Sequence, residues 1–133
     1  MPVDILLVED DPTEARLLEE IVRGGSVRVK ITTAKNCSGA LAILEEGRYA
    51  PNLVIADMGV LEFGGVELLK RCNPREIPVV VFSGSIDPAD QERAMRLGAK
   101  EFIRKPLGLD HYVDAIWGMI GKWTKPGSAG RNN

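Results

Sequence analysis

Three short apolar runs limit what this chain can fold into: Ile5 to Val8, Leu53 to Ala56 and Val79 to Phe82. They are continuous rather than alternating, and they are rich in branched side chains. A strand with one wet face would alternate apolar and polar residues, so continuous runs this short predict strands covered on both faces. Weaker strand signals lie at Val27 to Thr33 and Glu101 to Arg104. Between the runs sit segments of helical period at Thr13 to Arg23, Ser38 to Glu46, Val66 to Arg71, Pro88 to Leu97 and Leu109 to Lys122. The order is (βα)5. Strict alternation of this kind predicts parallel strands joined by right-handed crossover helices, a three-layer α/β sandwich around a parallel five-stranded sheet.

The punctuation agrees with this division. Asp11-Pro12 and Asp87-Pro88 each set a capping acid before a proline suited to a first helical turn. Gly24-Gly25, Gly47 and Gly98 follow three of the helical segments, where a left-handed residue often ends a helix. At 133 residues the chain suits one domain, expected over residues 1–124. The segment 125–133, which includes PGSAGRNN, has too little apolar content to pack and is expected to be disordered. No apolar run approaches the ~20 residues needed to span a bilayer, and the first residues lack the basic, apolar and small-residue pattern of a secretory leader. A cytoplasmic protein is expected. A net charge of −2 gives no reason to expect nucleic acid as a partner. Cys37 and Cys72 fit neither a disulfide framework nor a metal spacing, and read as buried thiols.

The last helical segment carries more apolar residues than one core face requires. Leu109, Tyr112, Val113, Ile116, Trp117, Met119, Ile120 and Trp123 cover about 160° of its circumference. Either the aromatic edges shield the core, or Tyr112, Trp117 and Met119 form a partner surface.

In an open parallel sheet, ligands bind beyond the carboxyl ends of the strands. Here the first strand ends in Glu9-Asp10-Asp11, the third in Asp57, the fourth in Ser83 and the fifth in Lys105-Pro106. Clustered carboxylates raise one another's pKa unless a cation neutralises them, so a metal is implied. Hard oxygen ligands in an open site suit Mg²⁺. With Mg²⁺ present, Asp57 can act as a nucleophile toward phosphorus, while Lys105 supplies a mobile charge and Ser83 a hydrogen-bond donor for phosphoryl oxygens. Asp11 reads as a helix cap in preference to a metal ligand. His111 lies on the polar side of its helix and has no ligand set around it.

VEDDP after the first strand, Asp57 after the third, Ser83-Gly84 after the fourth and Lys105-Pro106 after the fifth resemble the receiver domain of two-component response regulators, from about Val3 to Lys122. The resemblance implies a flavodoxin-like fold with strand order 2-1-3-4-5. It also implies phosphorylation of Asp57 by a histidine kinase or histidine phosphotransfer protein. The metal would be held by Glu9, Asp10, Asp57 and the backbone carbonyl of Gly59. Ser83 and Phe102 would form a switch, Phe102 turning inward as the hydroxyl moves toward the phosphate. The change would then be presented to a downstream protein, or to a second copy, by the fourth helix, fifth strand and fifth helix. On this reading the chain is a stand-alone signalling phosphoacceptor rather than an enzyme acting on small molecules.

The chain departs from the family pattern in the loop after the acceptor, where Leu61 stands in place of a common proline and Gly64 in place of a common aspartate. A less rigid, more open loop is expected. Gly59 and Ser85, both small, flank the acceptor and predict ready access for water and a short phosphorylated lifetime. The altered loop also keeps open a phosphorylation-independent receiver-like scaffold. A phosphatase of another α/β fold would need a second acid two residues after the nucleophile, where this chain has Gly59.

Overall fold

The computed structural model describes residues 2–46 and 49–124. Five strands, β1 (Val3–Val8), β2 (Val29–Ala34), β3 (Leu53–Ala56), β4 (Val79–Ser83) and β5 (Glu101–Arg104), alternate with five helices. The helices are α1 (Pro12–Arg23), α2 (Cys37–Leu44), α3 (Gly65–Cys72), α4 (Pro88–Leu97) and α5 (Leu109–Thr124). All strand pairings are parallel and the sheet order is β2-β1-β3-β4-β5, as expected for a flavodoxin-like fold.

The continuous apolar strands divide their side chains between two cores. Leu6, Val8, Val54, Ala56, Val79 and Val81 face α2, α3 and α4. Ile5, Leu7, Leu53, Ile55, Val80 and Phe82 face α1 and α5. Period-2 geometry sends neighbours to opposite faces, so a strand between two helical layers must be apolar at every position. The edge strands β2 and β5 are only half-covered, which is why their sequence signals are weaker. Among the described residues, no helix is long and apolar enough to cross a membrane.

The caps follow the expected chemistry. Asp11 accepts hydrogen bonds from the Thr13 and Glu14 amides, and Asp87 from the Ala89 amide. Gly98 closes α4 at φ +112, the left-handed conformation that favours glycine. Gly24 instead ends α1 in the right-handed region. Gly25 has a different role, because a Cβ there would lie 2.1 Å from Cζ2 of Trp117. The indole of α5 rests directly on that backbone. Gly47 and the segment 125–133 lie outside the described residues.

One open choice is decided and one expectation is corrected. Tyr112 and Met119 are buried in the α1–α5 core, and Trp117 is half-buried against Gly25, so the wide apolar arc of α5 serves the core rather than a partner surface. The altered loop after Asp57 is packed rather than open. Met58, Val60 and Leu61 are buried there, and the Cys37 thiol donates to the Val60 carbonyl at 3.3 Å. Gly64 sits at φ +92, and a Cβ on it would come within 2.9 Å of Cys37 Cβ, so the loop requires glycine where the family commonly has aspartate.

Candidate functional site

Backbone pairing continues beyond the strand ends and sets the site. The Asp57 amide donates to the Val8 carbonyl at 3.2 Å, holding Asp57 beside Glu9. The Lys105 amide donates to the Ser83 carbonyl at 2.7 Å, holding Lys105 beside Ser83. Glu9, Asp10 and Asp57 each offer a carboxylate oxygen within 4.8 Å of the others, with Glu9 buried, Asp57 half-buried and Asp10 exposed. Hard anionic oxygens at this spacing, open to water on one side, form a donor set that fits Mg²⁺.

The Asp57 carboxylate is held on both oxygens. Its Oδ1 lies 3.1 Å from Lys105 Nζ, and its Oδ2 accepts from the Gly59 amide at 2.9 Å. A Cβ on residue 59 would approach Asp57 Oδ2 to 3.0 Å, so glycine leaves the acceptor room to turn. Lys105 Nζ also stands 3.6 Å from Glu9 Oε1 and 2.6 Å from Glu14 Oε2, above the ring of Phe82. Burial acts to lower the Lys105 pKa, but the hydrogen bond the ammonium donates to Glu14, and the charge of Asp57 and the hydrogen bond donated to it, outweigh it, and the ammonium is held above its usual range. The Glu9 pKa is raised too, which for a carboxyl disfavours the charged form. Burial pushes it up to about 7 despite the Asp11 amide and the Lys105 charge. A cation beside it would relieve that cost.

Ser83 is buried, and its Oγ accepts from the Ser85 amide at 3.1 Å. Ser85 Oγ in turn donates to Asp90 Oδ2 at 2.5 Å, directing that side chain toward α4. Phe102, on β5, is half-buried and packs on the α2–α3–α4 core. Thus Glu9, Asp10, Asp57 and Lys105 meet directly, Ser83 lies beside the Lys105 backbone, and Phe102, paired with Val81 in the sheet, faces the α2–α3–α4 core. His111 is exposed. Sequence reasoning missed Glu14 and Tyr112. The Tyr112 hydroxyl donates to Glu14 Oε2 at 3.0 Å, completing a third side of the Lys105 environment. The spacing Asp11-x-x-Glu14 is a signal, but it is one that points to helix capping.

Residues 5–117 match the response regulator receiver domain family. The chain is 30% identical over 123 residues to the transcriptional regulatory protein KdpE of Mycobacterium tuberculosis, covering 90% of this chain and 52% of KdpE. It thus spans about half the length of KdpE, as it does of the two-component response regulator ORR1 of Oryza sativa. The polar-differentiation response regulator DivK of Brucella anthropi is 26% identical over 125 residues, with 91% of this chain and 98% of DivK covered. The phosphorylated cyanobacterial phytochrome response regulator RcpA superimposes with a TM-score of 0.79 at 26% identity, covering 92% of this chain and 94% of that one. The Mn²⁺-bound response regulator Rcp1 does so with a TM-score of 0.77 at 25% identity, covering 93% and 96%. Sheet topology and the family match over residues 5–117 agree, and the chain belongs to the response regulator receiver domain family of two-component signalling.

Proposed function

We propose that Asp57 accepts a phosphoryl group from a phosphohistidine on a histidine kinase or histidine phosphotransfer protein, and that the transfer alters a protein-interaction surface. The observation that carries this reading is the meeting of Asp57, Glu9, Asp10 and Lys105 at one sheet edge in a receiver-family chain. An Asp57 oxygen forms the new O–P bond as the P–N bond to the donor imidazole breaks. The electron pair remains on the imidazole nitrogen, which takes a proton from solvent. Lys105 offers its ammonium to one phosphoryl oxygen. The Ser83 hydroxyl can donate to another, because its contact with the Ser85 amide uses the oxygen as acceptor and leaves the proton to donate.

Glu9, Asp10, Asp57 and the Gly59 carbonyl would hold Mg²⁺, which when bound offsets the charge of the carboxylates and the phosphoryl oxygens. The Mn²⁺-bound form of the related Rcp1 supports a divalent cation here. Movement of Ser83 toward the phosphoryl group would free its contact with Ser85 and favour inward packing of Phe102, changing the α4–β5–α5 face. That face would be read by a downstream protein or a second copy. Residues 1–124 form the receiver unit in this reading, and the cytoplasm is where such kinases would supply the donor. A phosphorylation-independent scaffold loses its main support, since the altered loop is packed.

The test is incubation with acetyl phosphate and Mg²⁺, read by intact mass. One phosphoryl group should appear on the wild type and none on Asp57→Asn or in the presence of chelator. Loading that persists in Asp57→Asn, or no loading of the wild type, would overturn the reading.

A further inference from the structure

The first turn of α1 has the spacing of a reciprocal capping box, in which the Glu14 carboxylate would reach back to the Asp11 amide. It does not do so. The Asp11 amide donates to Glu9 Oε2 at 3.1 Å, so Glu14 is released from the cap and turns into the pocket. There it makes the shortest of the Lys105 contacts, 2.6 Å against 3.1 Å to Asp57 and 3.6 Å to Glu9. The Glu14 carboxylate is fixed from behind by the Tyr112 hydroxyl at 3.0 Å, and Tyr112 is itself buried with its ring 5.3 Å from that of Phe82.

The charge balance gives this arrangement a consequence. Three carboxylates that can share a divalent cation, together with one ammonium and that cation, are neutral. Glu14 leaves one negative charge over, next to the ammonium that an incoming phosphoryl oxygen needs. An extra anion close to the pocket attracts a cation and repels a phosphoryl group.

We propose that Glu14 is a positioning residue that competes with the phosphoryl group for the Lys105 ammonium, strengthening the pocket's hold on the divalent cation and weakening its hold on the phosphoryl group. The inference rests on the reading of Asp57 as phosphoacceptor.

Glu14→Gln removes the charge but keeps an oxygen for Tyr112 and Lys105. On the full chain, Mg²⁺ affinity is measured by calorimetry. The affinity for beryllofluoride, a phosphoryl analogue, is then measured by NMR titration at saturating Mg²⁺. The variant should bind Mg²⁺ about three- to tenfold more weakly and beryllofluoride more tightly by a similar factor, the size expected for one unit charge in a pocket open to water on one side. A merely structural role would weaken both, so unchanged affinities or two losses would overturn the inference. Tyr112→Phe keeps the charge and should hold Mg²⁺ within about twofold of wild type; a loss equal to that of Glu14→Gln would assign the effect to the anchor and overturn the inference as well. A wild-type chain that bound neither probe would overturn the phosphoacceptor reading itself, and the inference with it.

Discussion

Two polar networks leave the Asp57 pocket in opposite directions. One runs over the α1–α5 layer through Lys105, Glu14 and Tyr112, with the Lys105 and Glu14 side chains only 14% and 25% exposed. The other runs toward α4, from Ser83 to Ser85 to Asp90, then to Arg93 at 2.6 Å, and on to Glu62 at 3.6 Å in the turn after the acceptor. Its far end is about half-exposed, at 48% for Arg93 and 53% for Glu62. Charge pairs shielded from water are felt strongly by their neighbours, whereas exposed pairs contribute little and rearrange easily. The first network is therefore suited to setting the charge of the pocket. The second is suited to carrying a change at Ser83 to the surface.

The hardest blow to this contrast is Lys105→Met, which removes the ammonium at the centre of the shielded network. Loading of Asp57 by acetyl phosphate should slow by about a hundredfold, as when a preorganised charge is lost from a transferring group. A slowing of less than about fivefold would deny the shielded network its role.

A middle-sized effect comes from Glu9, whose carboxyl is pushed up to about 7, burial outweighing the Asp11 amide and Lys105. The folded chain thus keeps a proton that the unfolded chain releases near the ordinary value of 4.5. The stability from this group is full below that value and is lost as pH rises through about 7. In chelator, the melting temperature should fall by a few degrees between about pH 5 and 8. The Glu9→Gln variant should lack that component of the fall. Identical pH profiles for variant and wild type would show that burial of Glu9 is better compensated than its surroundings indicate.

The smallest effect belongs to the exposed network. Ser85→Ala removes both the hydrogen bond donated to Asp90 and the one accepted from the Asp87 amide and should cost about 1–2 kcal/mol, with faster amide exchange at the start of α4. Loading of Asp57 should stay within about twofold of wild type. If Ser85→Ala slowed loading as much as Lys105→Met, the two networks would not differ in kind.

Much of this molecule was legible in one dimension. The runs ILLV, LVIA and VVVF marked the central strands because burial on both faces demands unbroken apolarity, and their ends marked Glu9, Asp57 and Ser83. Element ends were less legible. The second strand runs over Val29–Ala34 rather than Val27–Thr33, since the edge of a sheet leaves half its side chains wet. The α5 arc left two readings open because an aromatic that fills a core and one that meets a partner have the same spacing. Leu61 and Gly64 suggested a loose loop, yet Leu61 supplies by burial the rigidity that proline would supply by its ring.

Sequence alone thus determined the alternation of elements, the Asp11 and Asp87 caps and the Gly98 terminus, and which acids and which lysine stand at the strand ends, because period, capping and strand termination are properties of a few neighbouring residues. Tertiary structure decided which groups share Lys105. Glu14 and Tyr112 are separated by 98 residues, and only the packing of α1 against α5 brings a carboxylate free of its helix cap to the same ammonium as Asp57.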